Sequence, residues 1–127
     1  MIISQVAQKV PGYESSSTGT WQIQYSFQSG VNPKTNVSYQ GEGRQAYLPK
    51  CAKGDEVLAL LQIAFARKLV MTVGFSPTRN QDNVVCWNGI HHKTRMTGGT
   101  ASYGYPDETY LDRVTDELKL KGVSFSS

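Results

Sequence analysis

This chain of 127 residues has few cysteines, no long hydrophobic run and no large net charge. Its two cysteines, Cys51 and Cys86, exclude a disulfide-rich scaffold, and they are too few for a self-contained zinc finger, which needs about four ligands at short spacings. No segment approaches the ~20 apolar residues of a membrane-spanning helix, and the N-terminus lacks the apolar stretch of a signal peptide. We therefore expect a cytoplasmic or nuclear protein that does not contact a membrane.

Neither positive nor negative charge dominates, because thirteen Lys and Arg against ten Asp and Glu leave a net charge of +3. This balance tolerates an anionic ligand but lacks the dense basic patch of a dedicated DNA-binding protein. The GxGxxG, P-loop and nucleophile-elbow motifs are absent, which removes three common sequence signals of catalytic and nucleotide sites. The chain length and the 39% of hydrophobic residues fit one compact domain.

Hydrophobic periodicity predicts both strands and helices. Residues 21–27 alternate apolar and polar side chains, which predicts a half-buried strand. Three shorter segments are further strand candidates: 44–48, 69–75 and 84–87. Apolar residues at spacings of three and four predict a helix over 54–69 and a second helix that Pro106 opens and Gly122 ends. Because regular βαβ alternation is missing, we expect an α+β domain with a mainly antiparallel sheet and two principal helices.

Two long glycine-bearing segments, 29–43 and 91–104, are predicted to be loops. They are longer than a domain of this size needs for connectivity, and binding sites concentrate in ordered loops on a rigid scaffold. We therefore expect these loops to form a cleft. Residues 1–19 are interpreted as a lead-in segment and residues 20–127 as the domain.

The densest polar cluster is WNGIHHKT at residues 87–94, which contains both histidines of the chain. Cys86, His91 and His92 could be metal ligands, but neighbouring side chains in an extended segment point in opposite directions, so no metal site is expected. Two interpretations stay open at this point. One imidazole could be a buried brace and the other a surface group, or at least one could line an anion or nucleotide site beside Trp87.

A second cluster, over residues 97–107, places glycines around Tyr103 and Tyr105. Such glycines let the backbone approach a ligand while an aromatic ring stacks on a flat group, although a rigid turn before a helix explains the same residues. Ser76 follows an apolar strand and is either a phosphate-facing hydroxyl or a turn cap. Glu117 is either a general base or an ordinary solvated carboxylate.

Several segments together resemble the C-terminal domain of the Deltex ubiquitin ligases. They are QAYLP at 45–49, TVGFS at 72–76, WNGIHHKT at 87–94, GYPD at 104–107 and YLDRVTDEL at 110–118. The resemblance covers nearly the whole chain, and the combination of WN-x-IHHKT with GYPD-x-x-YL in this order and spacing is specific. The glycines at 98–99 and the aromatic Tyr103 are most similar to the Deltex-3 and Deltex-3-like branch of that family.

The resemblance implies a function. In that family the domain is α+β, binds ADP-ribose or NAD in a cleft without a further cofactor, and follows a RING domain that recruits a ubiquitin-charged conjugating enzyme. The pair recruits ADP-ribosylated proteins and can join ubiquitin to a protein or to a ribose hydroxyl of ADP-ribose. Two alternatives are a non-catalytic ADP-ribose reader and a protein-interaction or single-stranded nucleic acid module, since a nucleic acid end also presents phosphate, base and ribose hydroxyl.

The resemblance also implies site residues. Those at positions similar to the family's pocket lining, or beside it, are Arg44, Ser76, His91, Tyr103, Trp87 and Asn88. Glu117 falls on the family's proposed catalytic glutamate. Tyr103 stands where other members have a histidine that assists transfer; a phenol is a poor base at neutral pH, but it can stack and donate a hydrogen bond. No RING motif lies within these 127 residues.

Overall fold

The computed structural model describes residues 1–77 and 79–124, so residue 78 and the last three residues of the predicted domain lie outside the described part. The strands are β1 Ile2–Val6, β2 Thr20–Phe27, β3 Gly30–Asn32, β4 Val37–Tyr39, β5 Glu42–Pro49, β6 Met71–Ser76 and β7 Gln81–Trp87. The helices are α1 Ala52–Ala66 and α2 Tyr110–Leu120, with a single 3-10 turn at Thr100–Ser102 between β7 and α2. This set of elements confirms the predicted α+β class.

The main sheet has the strand order β1–β2–β5 and is antiparallel. Along β2 the side chains of Ile23 and Tyr25 are fully buried, which is the alternation that the sequence shows for this segment. β5 pairs with β2 along its whole length, and Arg44 lies opposite Tyr25. This register fixes Arg44 at the edge of the core, on the strand that reaches the candidate site.

β1 lies within the predicted lead-in segment and pairs with β2, with Ile3 opposite Ile23. The sequence analysis assigns no strand to these residues, and most of their side chains are exposed. A short strand that buries little apolar surface leaves a weak periodic signal. The domain boundary at residue 20 stays a prediction.

Two further hairpins stand outside the main sheet. β6 pairs with β7, and β3 pairs with β4, both in antiparallel register. The prediction of antiparallel pairing is therefore confirmed, whereas the expected single sheet is divided into three. The segment 29–43 was predicted as a loop and contains the β3–β4 hairpin. Strands of three residues are too short for a period of two to be recognised.

Helix α1 begins two residues before its predicted start and ends three residues before its predicted end. Cys51 precedes it, and the Cys51 Sγ accepts a hydrogen bond from the Gly54 backbone N–H at 3.4 Å. At the other end Lys68 adopts a left-handed backbone conformation with φ 61°, which turns the chain toward β6. The helix therefore ends before the apolar run of β6 begins.

Helix α2 begins at Tyr110, so the prediction that Pro106 opens it is wrong. The side chain of Asp107, which would belong to the first turn, is buried and paired with Lys93 and Arg113 instead. Residues 107–109 form a turn that leads into the helix. The stop near Gly122 is confirmed, because Gly122 has φ 80° one residue after the C-cap.

The two helices pack against each other, and α1 also packs on β5. Val57 and Leu61 of α1 and Val114 and Leu118 of α2 are fully buried in one hydrophobic core. In the part of the chain that the structure describes, no helix is long and apolar enough to cross a membrane.

Candidate functional site

A cavity of about 500 Å³ opens where the β6–β7 hairpin meets the long segment that follows β7. It is lined by Arg44, Ser76, Arg79, Val85, Cys86, Trp87, Gly89, Ile90, His91, His92, Thr94 and Tyr103. The lining thus brings together five predicted ligand-binding residues from three separate segments of the sequence. Asn88 is not among the lining residues.

Helix α2 holds His91 at the mouth of the cavity. Glu117 Oε1 accepts a hydrogen bond from the His91 backbone N–H at 2.9 Å, and Glu117 Oε2 contacts the His91 ring at Nδ1. Tyr110 Oη donates to the His91 carbonyl oxygen at 2.7 Å. Tyr110 and Glu117 are seven residues apart and therefore share one face of the helix. Two side chains of α2 thus fix both backbone polar groups and the ring of His91.

His91 is nevertheless open to solvent, with 76% of its side chain exposed, while Glu117 is 23% exposed. When the His91 Nδ1 carries the proton that Glu117 accepts, Nε2 of the neutral ring is a free acceptor. The arrangement can therefore take a proton from a ligand hydroxyl at Nε2 while the carboxylate orients the ring and stabilises its charged form.

His92 points the opposite way and is buried, as expected for neighbours in an extended segment. Its Nδ1–H donates to the Ile90 carbonyl oxygen at 2.9 Å, and its Nε2 accepts from Tyr25 Oη at 2.9 Å. Burial lowers the pKa of His92 to about 4, so the ring is neutral at physiological pH. His92 is thus a core brace that forms the floor of the cavity.

Trp87 and Asn88 have largely structural contacts. The Trp87 ring stacks on His92 with 4.1 Å between ring centroids and 11° between planes, so one of its faces is already covered. Asn88 donates from its backbone N–H to the Val70 carbonyl oxygen at 3.0 Å and from Nδ2 to the Leu69 carbonyl oxygen at 3.1 Å. These bonds fasten the end of β7 to the start of β6, which positions the cavity wall.

Ser76 and Tyr103 offer hydroxyl groups to which no other described residue is hydrogen-bonded. Ser76 is only 8% exposed, and its hydroxyl makes no hydrogen bond to any other residue in 1–77 or 79–124. Tyr103 is 63% exposed, and its hydroxyl is likewise unpartnered among the described residues. A hydroxyl that has no partner among the described residues and lines the cavity is available for a ligand acceptor.

The backbone of the 91–104 segment explains how Tyr103 reaches the cavity. Tyr103 has a left-handed conformation with φ 57°, and its carbonyl oxygen accepts from the Arg95 N–H at 3.2 Å. A Cβ on Gly104 would lie 1.9 Å from the Thr97 carbonyl oxygen, so only glycine permits the loop to close there. The second tyrosine of the cluster, Tyr105, is fully buried and belongs to the core.

A carboxylate with two guanidinium partners forms one wall, and the sequence analysis missed it. Arg79 donates from Nη1 and Nη2 to the two carboxylate oxygens of Glu42 at 2.8 and 2.7 Å, and Arg44 Nη2 lies 3.3 Å from Glu42 Oε2. The hydrogen bonds from Arg79 hold the pKa of Glu42 below its usual range. We call Glu42, Arg44 and Arg79 the rim cluster. Since 37 residues separate Glu42 from Arg79, no local motif reveals this pair.

A second ion cluster lies behind His91 and His92. Lys93 Nζ donates to Asp107 Oδ2 at 2.8 Å, Arg113 contacts the same oxygen, and Lys93 lies over the Tyr110 ring at 5.2 Å from its centroid. Burial opposes ionisation of Asp107, but the ammonium of Lys93 and the guanidinium of Arg113 together outweigh it and keep the pKa of Asp107 below its usual range. We call Lys93, Asp107 and Arg113 the inner cluster. It connects the IHHKT and GYPD motifs.

The chemistry of the site is therefore that of an anion and hydroxyl receptor. Guanidinium groups and the Ser76 hydroxyl line the cavity, which suits phosphate oxygens, and the exposed Tyr103 ring suits a flat group. In the described part of the chain, no group of three or more His, Cys, Asp and Glu residues is arranged to hold a metal ion.

Comparison with known proteins gives one consistent result. The model of the Deltex C-terminal domain matches residues 1–123. The human protein named "Probable E3 ubiquitin-protein ligase DTX3" is 46% identical over 129 residues, which cover 98% of this chain and 37% of that protein. The mouse E3 ubiquitin-protein ligases DTX1 and DTX4 are 38% and 37% identical, over 94% and 96% of this chain and 20% of each relative. The chain thus spans between a fifth and about two-fifths of the length of these relatives.

Proposed function

Because this chain belongs to the family of Deltex C-terminal domains, we propose that it binds ADP-ribose or NAD in the 500 Å³ cavity. The observation that supports the proposal most is the convergence of Arg44, Ser76, His91 and Tyr103 on that one cavity. These residues are separated by up to 59 positions in the sequence, and the family resemblance alone implies all four of them as ligand residues.

Each part of ADP-ribose has a matching group. The guanidinium groups of Arg44 and Arg79 and the hydroxyl of Ser76 suit the two phosphates. The exposed ring of Tyr103 suits stacking on a flat base. A ribose hydroxyl within reach of His91 Nε2 would find the acceptor that Glu117 keeps oriented.

We further propose that, together with a RING domain and a ubiquitin-charged conjugating enzyme, this domain supports ubiquitin transfer to recruited ADP-ribosylated proteins or to the ribose. The ribose oxygen would attack the thioester carbonyl carbon of ubiquitin, an ester would form and the cysteine thiolate would leave. His91 would take the hydroxyl proton at Nε2, and Glu117 would stabilise the imidazolium. The relatives' printed names as E3 ubiquitin-protein ligases support this role.

Calorimetric titration of the chain with ADP-ribose, NAD and AMP tests the binding proposal. We expect saturable binding of ADP-ribose that Arg44→Gln weakens by about tenfold, since a hydrogen bond to a charged group contributes ~1.5–3 kcal/mol. Arg95→Gln is the matched control, because Arg95 is exposed and lines no part of the cavity. Absence of heat with all three ligands, at protein concentrations that detect millimolar binding, would contradict the proposal.

The transfer proposal is tested by joining the chain to a RING domain and assaying ubiquitin on ADP-ribose. Glu117→Gln keeps the shape of the side chain but removes the charge that stabilises a protonated His91, so ester formation should fall much more than ADP-ribose affinity. Ubiquitin transfer to lysines should persist. Equal losses of affinity and ester formation would reassign Glu117 to ligand binding, and unchanged ester formation would remove Glu117 from the transfer step. Absence of ester with the unmodified fusion would leave the domain a reader.

A further inference from the structure

A second and larger cavity, of about 810 Å³, shares no lining residue with the candidate site. It lies between the β3–β4 hairpin on one side and the end of α1 with the start of β6 on the other, and we call it the hairpin groove. Its lining consists of residues 26–29, 32–34, 65–66 and 70–73 with Tyr39 and Lys68. The volume is within the range of about 300–1,000 Å³ that is typical of ligand pockets.

Part of the hairpin groove is lined by aromatic and aliphatic side chains. Phe27 and Tyr39 lie side by side with 6.0 Å between ring centroids, and both remain partly accessible, as does Phe65. Val70 and Met71 are buried behind them. Covering partly exposed aromatic rings is favourable in proportion to the apolar area removed from water. Binding of an apolar side chain in the groove is therefore favourable.

The hairpin groove is also built in advance. Asn83 of β7 donates from Nδ2 to the Ser38 carbonyl oxygen at 2.8 Å and accepts from Asn32 Nδ2 at 3.2 Å. Asn32 accepts in turn from the Lys34 backbone N–H at 3.0 Å through its side-chain oxygen. These bonds fasten the β3–β4 hairpin to β7, so an entering ligand does not have to order that wall.

The charge of the hairpin groove has one sign. Lys34 and Lys68 line it, both are exposed, and neither ammonium group makes an ion pair or hydrogen bond to any residue in the described part of the chain. Among the lining residues there is no Asp or Glu. A partner with carboxylates beside its apolar group would therefore meet two unpaired cations and no repulsion, and the chain's net charge of +3 adds to this attraction.

The backbone of β6 adds a third feature. β6 pairs with β7 on one edge, and in the described part of the chain no strand pairs with its other edge. Residues 71–73 of this strand are part of the groove lining. An unpaired edge next to side-chain pockets is the arrangement that accepts an extended peptide as an added strand.

We propose that the hairpin groove binds an extended segment of a partner protein that carries an apolar side chain flanked by acidic residues. The apolar side chain covers Phe27 and Phe65, and the acidic residues pair with Lys34 and Lys68. The groove does not depend on ADP-ribose binding, because none of its residues lines the candidate site.

The probe is a blocked peptide of sequence GEEFLEEG, titrated into the ¹⁵N-labelled chain and followed by chemical-shift changes. We expect saturable shifts at residues of the hairpin groove and an affinity that falls as salt increases. The peptides GKKFLKKG and GEESSEEG remove the acidic and the apolar component, and each should bind at least about tenfold more weakly.

The variant Lys34→Glu/Lys68→Glu should weaken GEEFLEEG binding by about tenfold or more, because two attractions become repulsions. Lys9→Glu/Lys119→Glu makes the same change in net charge at exposed lysines outside the groove and should have little effect. Melting temperatures identify any variant that fails to fold, and in that case Lys34→Gln/Lys68→Gln replaces it. Shifts elsewhere, no saturation, or equal binding by both double variants would overturn the proposal. A concentration-dependent dimer that the groove variant dissociates would instead assign the groove to a second copy of the chain and would also overturn it.

Discussion

The inner cluster and the rim cluster use the same charges in opposite ways. Each contains one carboxylate and two cations, and each joins segments far apart in the sequence. In the inner cluster the side chains of Lys93 and Asp107 are both 7% exposed. In the rim cluster those of Glu42 and Arg79 are 23% and 37% exposed, and both arginines line the cavity.

The two clusters differ in whether their cations can exchange the carboxylate for a ligand anion. Removing one partner of a buried ion pair leaves a charge without solvation. The cations of the inner cluster therefore stabilise the fold and are not available to a ligand. Exposed pairs contribute little because water and salt compete with them, so a ligand anion can take over their cations at small cost. Burial therefore distinguishes the carboxylate that supports the fold from the one that borders the candidate site. The histidines repeat the contrast, with His92 buried and His91 exposed.

The largest effect is expected for Lys93→Met. It leaves the buried carboxylate of Asp107 with Arg113 as its only ion-pair partner in the described part of the chain, and breaking a buried pair of this kind costs about 3–5 kcal/mol of unfolding free energy. Urea unfolding measures it. Arg79→Met, the corresponding change in the rim cluster, should leave the melting temperature nearly unchanged.

The double variant Lys93→Met/Asp107→Leu is the control for this prediction. It removes both buried charges and should recover more than half of the stability lost in Lys93→Met. If the single variants in the two clusters were equally stable, burial would not be what distinguishes the clusters.

The next effect concerns pH and His92. The pKa of His92 is about 4 in the folded protein, against an ordinary value of 6.5 for histidine. The unfolded chain therefore binds a proton that the folded chain does not, between these two values, and stability falls as the pH decreases through this window. The full effect is about 3 kcal/mol, since one pKa unit corresponds to ~1.4 kcal/mol. Above pH 6.5 this contribution is complete.

Urea unfolding at several pH values from 7.5 to 4.5 measures this slope. Asp107 and Glu42 have lowered pKa values, so their contributions are lost only as the pH falls below their unfolded values, and the window above pH 4.5 belongs mainly to His92. His92→Gln should flatten the slope in that window, whereas His91→Gln, at the exposed neighbour, should retain it. A flat profile in the unmodified protein would mean that His92 is protonated inside the fold.

The fold was predictable where packing imposes a period. The alternation around Ile23 and Tyr25 in β2 and the spacing of Val57 and Leu61 in α1 follow from the face that each element buries. The β3–β4 hairpin was missed because its short strands bury no such face. The predicted start of α2 is wrong because the Asp107 side chain binds Lys93, which is 14 residues away in the sequence. Rules for helix starts that use only neighbouring residues do not include such an interaction.

The residues of the candidate site also differ in whether the sequence could predict them. Arg44, Ser76, His91 and Tyr103 could be named because they belong to motifs that resemble a family, and their roles as ligand residues stay predictions. Arg79 and Glu42 belong to no motif, and their pairing depends on the tertiary approach of β5 to the end of the β6–β7 hairpin. The hairpin groove is likewise formed by segments that are separated in the sequence.

A third test compares two partly exposed arginines that each pair with a carboxylate. Arg79→Met should lower ADP-ribose affinity by about tenfold because it removes a charge-assisted donor from the cavity. Arg113→Met should leave that affinity within about twofold, because Arg113 belongs to the inner cluster and does not line the cavity. Calorimetry measures both. If Arg113→Met weakened binding as strongly as Arg79→Met, the inner cluster would act on the ligand as well as on the fold.

The smallest effect, and the one that defines the rim cluster most closely, is expected for Glu42→Gln. In the protein without ligand, the Glu42 carboxylate neutralises part of the charge of Arg44 and Arg79. A ligand phosphate must compete with that carboxylate for the same donors. Glutamine keeps the size of the side chain and one acceptor but removes the negative charge, so the net charge of the cluster rises from +1 to +2.

Because the charges stand near the surface, we expect ADP-ribose affinity to rise only about twofold in Glu42→Gln, and more at low salt than at high salt. Calorimetric titrations at two salt concentrations measure this, with Glu56→Gln, which removes one negative charge at an exposed site outside the cavity lining, as the matched control. A decrease in affinity that does not depend on salt would reverse the interpretation. Glu42 would then act chiefly by holding the two guanidinium groups in place, and the rim cluster would resemble the inner one in being a fixed support for the site.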